Sequence, residues 1–150
     1  MSEGICAWFG FETDNLRDYI NERTKQPKYY CNGDVQTIIV HYLQCVKLDE
    51  IKIDKPWNTS RLKRIRTWAT PDRLRRVKIT PENRIQSPRD IPSLSRDGRF
   101  SDIQNKKYQI SDGIHRTNVA KEIGLDCILA DVEEGIEVHK NDTHLYKKGW

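Results

Sequence analysis

Apolar and polar positions follow two different rhythms along this chain, and residues 108–132 show both in close succession. Tyr108-Gln109-Ile110-Ser111 alternates apolar and polar, the period of a strand. Asp112-Gly113 supplies a turn. Val119, Ala120 and Ile123 then fall on one side of a helix that ends at Gly124, a glycine suited to the C′ position. Residues 127–132 are apolar enough for a buried strand. The pattern is strand, tight turn, helix, strand, with His115 and Arg116 where the helix begins. Such a turn gathers backbone N–H groups, a glycine and donor side chains around one point, the arrangement with which proteins hold phosphate.

The rest of the chain is read in the same way. Ile5, Trp8, Phe9 and Phe11 make an apolar, aromatic start. Thr13-Asp14 begins a helix with Leu16, Tyr19 and Ile20 on one face, and residues 23–30, with Pro27, form a loop. Asp34 caps a second helix, in which Val35, Ile38, Ile39, Tyr42, Leu43 and Val46 recur at helical spacing and leave His41 on the surface. A short strand follows at 48–53. Ser60 caps a basic helix at 61–69, with Leu62, Ile65, Trp68 and Ala69 inward. Thr70 caps a further short helix with Pro71 at N1. Residues 79–100 hold Pro81, Pro88 and Pro92 and a turn at Asp97-Gly98, which makes them either a connector or an ordered loop beside the site. Beyond residue 132, Glu133-Glu134 opens an irregular tail or a small late strand.

Composition narrows this picture. The 150 residues suit one compact domain, and with 36% apolar and 32% charged residues the chain is rather polar. No stretch is apolar enough to span a membrane, and the N-terminus lacks the basic start and apolar run of a secretory signal, so a cytoplasmic setting is expected. Cys6, Cys31, Cys45 and Cys127 form no CxxC pair, and free, partly buried thiols are expected. Charge is unevenly placed: residues 1–60 carry −2, residues 61–116 carry +9 and residues 117–150 carry −3. Such a basic middle attracts a polyanion. Arg61, Lys63, Arg64, Arg66, Arg73, Arg75 and Arg76 dominate it, and Arg84 and Arg89 extend it. These form either a polybasic surface touching phosphates, a helix-turn-helix, or a solvated face.

Ser111-Asp112-Gly113-Ile114-His115-Arg116, followed by Ala120-Lys121-Glu122-Ile123-Gly124 and a closing strand, resembles the nucleotide-binding segment of the ParB/sulfiredoxin superfamily. That superfamily includes partition proteins, sulfiredoxins, free-serine kinases and ParB-like nuclease domains. The resemblance covers residues 46–132 and is carried by its DGIHR end. It implies an α/β (α+β) fold, a small mixed sheet with helices, here preceded by an added helical segment at 1–45 and followed by a tail at 133–150. It also implies a phosphate site at Gly113, His115, Arg116 and Thr117, with Asp112 orienting Arg116 or holding Mg²⁺, and ATP, ADP or CTP as nucleotide. Glu50, with Asp49 and Asp54 as rivals, is the counterpart of the kinases' carboxylate base, so Glu50, Asp112 and His115 are the catalytic candidates. Two departures matter. Ile114 stands where sulfiredoxins carry the nucleophilic cysteine, which removes sulfinic acid reduction. Only 18 residues follow Val132, too few for the DNA-reading and dimerisation domains of a complete partition protein.

Three functions are therefore expected, in this order. The first is a ParB-like DNA-binding protein with nucleotide-regulated or metal-dependent nuclease activity, favoured by the +9 segment. The second is a nucleotide-dependent small-molecule phosphotransferase or ATPase using the same turn. The third is a non-catalytic phage or plasmid interaction protein whose N-terminal helices meet a protein partner.

Overall fold

The computed structural model describes residues 2–10, 14–75, 78–79, 85–86, 91–99 and 107–142. Expectations at Phe11, Thr13, Arg76, Pro81, Arg84, Pro88 and Arg89 lie outside them. The chain is a mixed α+β protein. Among the described residues the strands are β1 (Ser2–Glu3), β2 (Lys28–Asn32), β3 (Val35–Lys47), β4 (Ile51–Lys52), β5 (Lys78–Ile79), β6 (Ile85–Gln86), β7 (Ser93–Arg99), β8 (Tyr108–Asp112) and β9 (Cys127–His139). The helices are α1 (Asp14–Arg23), α2 (Thr59–Trp68), α3 (Pro71–Arg75) and α4 (Ile114–Glu122), with a 3₁₀ turn at Leu48–Glu50. Seven strands form one sheet in the order β1-β2-β3-β9-β7-β8-β4, and β5 and β6 pair separately. No described helix is long and apolar enough to cross a membrane.

The chain forms two compact units. The first comprises Met1–Tyr42, Arg96–Lys106 and Glu133–Trp150. Its core gathers Phe9, Leu16, Ile20, Ile38, Val40, Ile136 and Val138. Leu16 and Ile20 are the buried stripe of α1, as their spacing predicts. The predicted helix at 35–46 is instead the 13-residue strand β3. Its β-branched residues lose χ1 freedom in a helix and suit a pleated surface. Asn32-Gly33 starts a two-residue hairpin: Asn32 pairs with Val35, and Gly33 takes φ +59°. Gln36, Ile38 and Val40 point into the core. Gln36 is fully buried because its amide is satisfied: it accepts from the Cys6 N–H at 2.6 Å and donates to the Tyr30 carbonyl at 2.8 Å, with the Thr37 and Gly4 carbonyls at 3.3 and 3.4 Å. The described residues of segment 1–45 thus hold one helix and three strands, or parts of them, rather than a helical extension.

Of the two readings of residues 133–150, an irregular tail or a late strand, the strand holds for the first part, since β9 runs through to His139. Glu134 on β9 is fully buried and accepts from the hydroxyls of Tyr19 at 2.5 Å and Tyr42 at 3.0 Å, with Arg96 at 3.6 Å. The Arg23 guanidinium lies over the Tyr19 and Tyr42 rings at 4.4 and 5.2 Å. A carboxylate can occupy a core only with such partners. Burial, and then the hydrogen bond to Glu134, push the Tyr19 phenol well above its ordinary pKa. Asp97-Gly98 lies within β7 and is not a turn.

The second unit comprises Leu43–Ser95 and Lys107–Val132. Here β4 pairs with β8 in parallel, Ile51 opposite Tyr108, while β7 pairs with β8 antiparallel through a bulge at Ser93/Leu94. Helix α2 packs on α4 through Leu62, Ile65 and Val119, with Trp68 and Ala69 beside them. The inward face of α2 is the predicted one, but its cap is Asn58 rather than Ser60: the Asn58 side chain accepts from the Arg61 N–H at 3.0 Å. Thr70 caps α3 as expected, accepting from the Arg73 N–H at 3.2 Å.

The cysteines are paired, Cys6 with Cys31 in the first unit and Cys45 with Cys127 in the second, which corrects the expectation of free thiols. Partners 25 and 82 residues apart carry no local sequence signature.

Candidate functional site

Strand β8 delivers the chain to Gly113, which takes φ +100° and ψ 28° and caps α4 with no side-chain hydrogen bond. Only glycine suits this place. A Cβ here would sit 2.6 Å from the Pro92 Cβ and 2.7 Å from its Cα. The first intrahelical bond runs from the Thr117 N–H to the Gly113 carbonyl at 3.0 Å, so the N–H groups of the turn before it have no intrahelical partner. At the other end Gly124 is the C′ glycine: its N–H meets the Lys121 carbonyl and the Leu125 N–H meets that of Ala120, both at 3.1 Å, a Schellman closure. Helix α4 is therefore a nine-residue helix with both ends fixed by glycine.

A cavity of about 390 Å³ opens at the Gly113 turn. Its walls include Trp57, Arg61, Arg64 and Trp68 from α2 and its approach, and Asp112 through Arg116 from the motif. Arg61 and Arg64 stand three residues apart on one face of α2. Neither has an ion-pair partner among the described residues. Arg116 is 15% exposed, and one guanidinium nitrogen lies 3.2 Å from an Asp112 carboxylate oxygen. Asp112, itself 75% exposed, orients Arg116 from the solvent side. With three guanidiniums against this one engaged carboxylate, the cavity is electropositive.

His115 is placed differently from the expected phosphate ligand and catalyst. It is buried, and its Nε2 accepts from the Asn58 N–H at 3.0 Å. An acceptor nitrogen is unprotonated, so the ring is neutral with its proton on Nδ1. Burial and the nearby Arg61 charge both hold its pKa below the ordinary value. His115 thus fastens α4 to the N-cap of α2, and a second tie, the bidentate Arg66–Glu122 pair at 2.7 and 2.9 Å, joins the same helices farther along. Asn118 adds a third link, donating to the Asp54 carbonyl at 3.0 Å. These ties place Arg61 and Arg64 beside Arg116.

The remaining predicted residues scatter. Thr117 is buried and its hydroxyl donates back to the Gly113 carbonyl at 2.8 Å, away from a ligand. Glu50 ends the 3₁₀ turn and is exposed. The parallel register sets it level with residue 107, about 20 Å of strand from Gly113. Asp49 precedes it on the same turn, and Asp54, beyond the other end of β4, comes nearer through Asn118. Lys63 is exposed, Arg66 is bound to Glu122, and the Arg73 guanidinium lies over the Trp68 ring at 4.8 Å. Arg75 ends α3. Arg76, Arg84 and Arg89 lie outside the described residues. No group of three or more His, Cys, Asp or Glu suited to a metal occurs among the described residues, leaving Asp112 a single carboxylate there.

Trp57 went unremarked in the sequence. It is the most exposed large apolar side chain among the described residues, at 69%, and it meets His115 edge to face with centroids 4.6 Å apart. Its signal was a tryptophan between Pro56 and a helix cap, where nothing amphipathic calls for one. Compared with protein-family models, with curated proteins and with solved structures, the chain matches none.

Proposed function

We propose that this chain is a nucleic-acid-binding protein of ParB/sulfiredoxin-like type that holds a backbone phosphate at the Gly113 turn. One observation carries the reading: Arg61, Arg64 and Arg116 line one cavity at the glycine-capped N-terminus of α4. Guanidinium groups present planar, paired donors that match phosphate oxygens, and the helix end adds oriented N–H groups. The glycine turn leading from β8 into α4 supports the resemblance, which rests on that strand–turn–helix–strand run. Binding is the core of the proposal. The carboxylate at the cavity is paired to Arg116, and Glu50 lies far along the strand, so the described residues support binding rather than nuclease chemistry or phosphotransfer.

A free nucleotide such as ATP, ADP or CTP with Mg²⁺ is the second reading, favoured by a cavity volume within the range of small-ligand sites. Asp112 would then be the residue that meets the metal. As to setting, Cys6–Cys31 and Cys45–Cys127 favour an oxidising compartment, or a cytosol that tolerates disulfides, over an ordinary reducing cytoplasm.

The test is anisotropy of a labelled oligonucleotide against protein at several salt concentrations. One neutralised phosphate gives a log–log salt slope of about −0.7 to −0.9. Arg116→Ala should weaken binding tenfold or more and flatten that slope by nearly one contact. Binding that is unchanged in Arg116→Ala and in Arg61→Ala/Arg64→Ala would refute the site.

A further inference from the structure

We infer that the cavity takes an unpaired base together with its phosphate, so that the ligand is single-stranded nucleic acid and Trp57 is its stacking platform. The inference rests on the phosphate reading above and adds to it the chemical class of the ligand. Its basis is the contrast between the two tryptophans of the cavity.

Trp68 belongs to the protein's own packing: it lies against Leu62, Ile65 and Val119, and the Arg73 guanidinium covers its ring at 4.8 Å. Trp57 does not. At 69% exposure its single T-shaped contact with His115 leaves most of the indole facing solvent. Exposing an indole of that size forfeits the burial that tryptophan otherwise gains, and its position is not an accident of a loose loop. The residue after it, Asn58, is fixed by two hydrogen bonds, its N–H to His115 Nε2 and its side chain capping α2. A rigidly carried, exposed aromatic one helical turn from Arg61, in the same cavity as Arg64 and Arg116, combines the two elements of single-strand recognition: guanidiniums for the backbone and a π-face for the base. A duplex offers phosphates but keeps its bases stacked inside, so it leaves the indole without a partner. A short inorganic polyphosphate does the same.

The experiment compares four probes against the full chain by competition anisotropy: a dT oligonucleotide, an abasic strand with the same phosphates, a duplex of equal length, and ATP with Mg²⁺. The dT strand should bind roughly 5- to 150-fold more tightly than the abasic strand, the range that one base–aromatic stack produces. Trp57→Ala should abolish that preference, and Trp57→Phe should restore most of it. Trp57 is 69% exposed and stands outside the apolar cluster of α2 and α4, and circular dichroism of both variants checks that the fold is kept. Equal affinity for dT and abasic strands, both lost in Arg116→Ala, would overturn the stacking inference while the phosphate site stands. Duplex binding as tight as dT would overturn it likewise, and tighter binding of ATP than of dT would assign the cavity to a free nucleotide. If no probe binds, or Arg116→Ala changes none of them, the phosphate reading fails and takes this inference with it.

Discussion

Replacing Gly113 by alanine tests the geometry of the site at its narrowest point. Two costs add at this residue. A non-glycine residue at φ +100° is strained by about 1–2 kcal/mol. The new Cβ would also lie 2.6 and 2.7 Å from Pro92 atoms, so the turn must move away from Pro92, an overpacking cost of about 1–3 kcal/mol. Gly124→Ala is the matched control at the other end of the same helix. Its φ is +78° and an added Cβ meets nothing within 4 Å, so it bears the strain alone. Alanine also narrows the unfolded ensemble, which offsets part of the strain, but does so equally at both positions and cancels in the comparison. Gly113→Ala should therefore be about 2 kcal/mol less stable than Gly124→Ala, or about 4–8 °C lower in Tm for a chain of this length. Urea titrations at neutral pH without reductant measure the difference. Agreement of the two variants within about 0.5 kcal/mol would refute the close approach of Pro92 and with it the shape assigned to the Gly113 turn.

Other outcomes follow from the buried polar groups and the disulfides. Glu134→Ala should cost about 3–5 kcal/mol by urea denaturation, because it leaves Tyr19, Tyr42 and Arg96 without their shared acceptor, and a cost under 1 kcal/mol would contradict that network. The Tyr19 phenol is raised in the fold, so its contribution to stability is intact below the unfolded value near pH 10 and is lost as pH rises beyond it. Tyr19→Phe should accordingly lose less stability than the parent between pH 9 and 11. His115 has the opposite sense: its pKa is depressed, so stability is intact above about pH 6.5 and declines as pH falls below it, a slope that His115→Gln should remove. Chain-entropy estimates give about 4.5 kcal/mol for Cys45–Cys127 and about 3.5 kcal/mol for Cys6–Cys31, so Cys45→Ser should destabilise more than Cys31→Ser, and thiol titration of the denatured parent should find none free.

The parts of the fold that depend on local rules were readable from sequence. The run from β8 through Gly113, α4 and Gly124 to β9 has a turn glycine, a C′ glycine and two periods that agree with one another. Residues 35–46 show where such reading fails. Their apolar positions satisfy helical spacing, and the strand alternation is hidden because the place of one core residue is taken by Gln36, whose amide is satisfied chiefly by Cys6 and Tyr30. Asn32-Gly33 was the competing signal, and it prevailed. Glu134 misled in the same way, since a carboxylate suggests solvent until Tyr19, Tyr42 and Arg96 are brought to it from distant parts of the chain. At the site, Gly113 and Arg116 were legible from the motif and Arg61 and Arg64 from the charge run. The inward turn of His115 was not, because it depends on Asn58, 57 residues away. Charge alone also could not separate Arg61 and Arg64 from Arg66 and Arg73, which are occupied by Glu122 and Trp68.

The Cys45–Cys127 bond has a consequence for the integrity of the cavity. Its two ends lie outside the pocket residues in sequence: Cys45 precedes Trp57, Arg61 and Arg64, and Cys127 follows Gly113 and Arg116. A protease that cuts once anywhere between α3 and β8 separates the chain into a piece bearing the α2 arginines and a piece bearing the glycine turn. Both pieces remain covalently joined through this bond. A nicked molecule would run as one species on a non-reducing gel and as two after reduction, and the two halves of the cavity lining would part company only when the bond is broken.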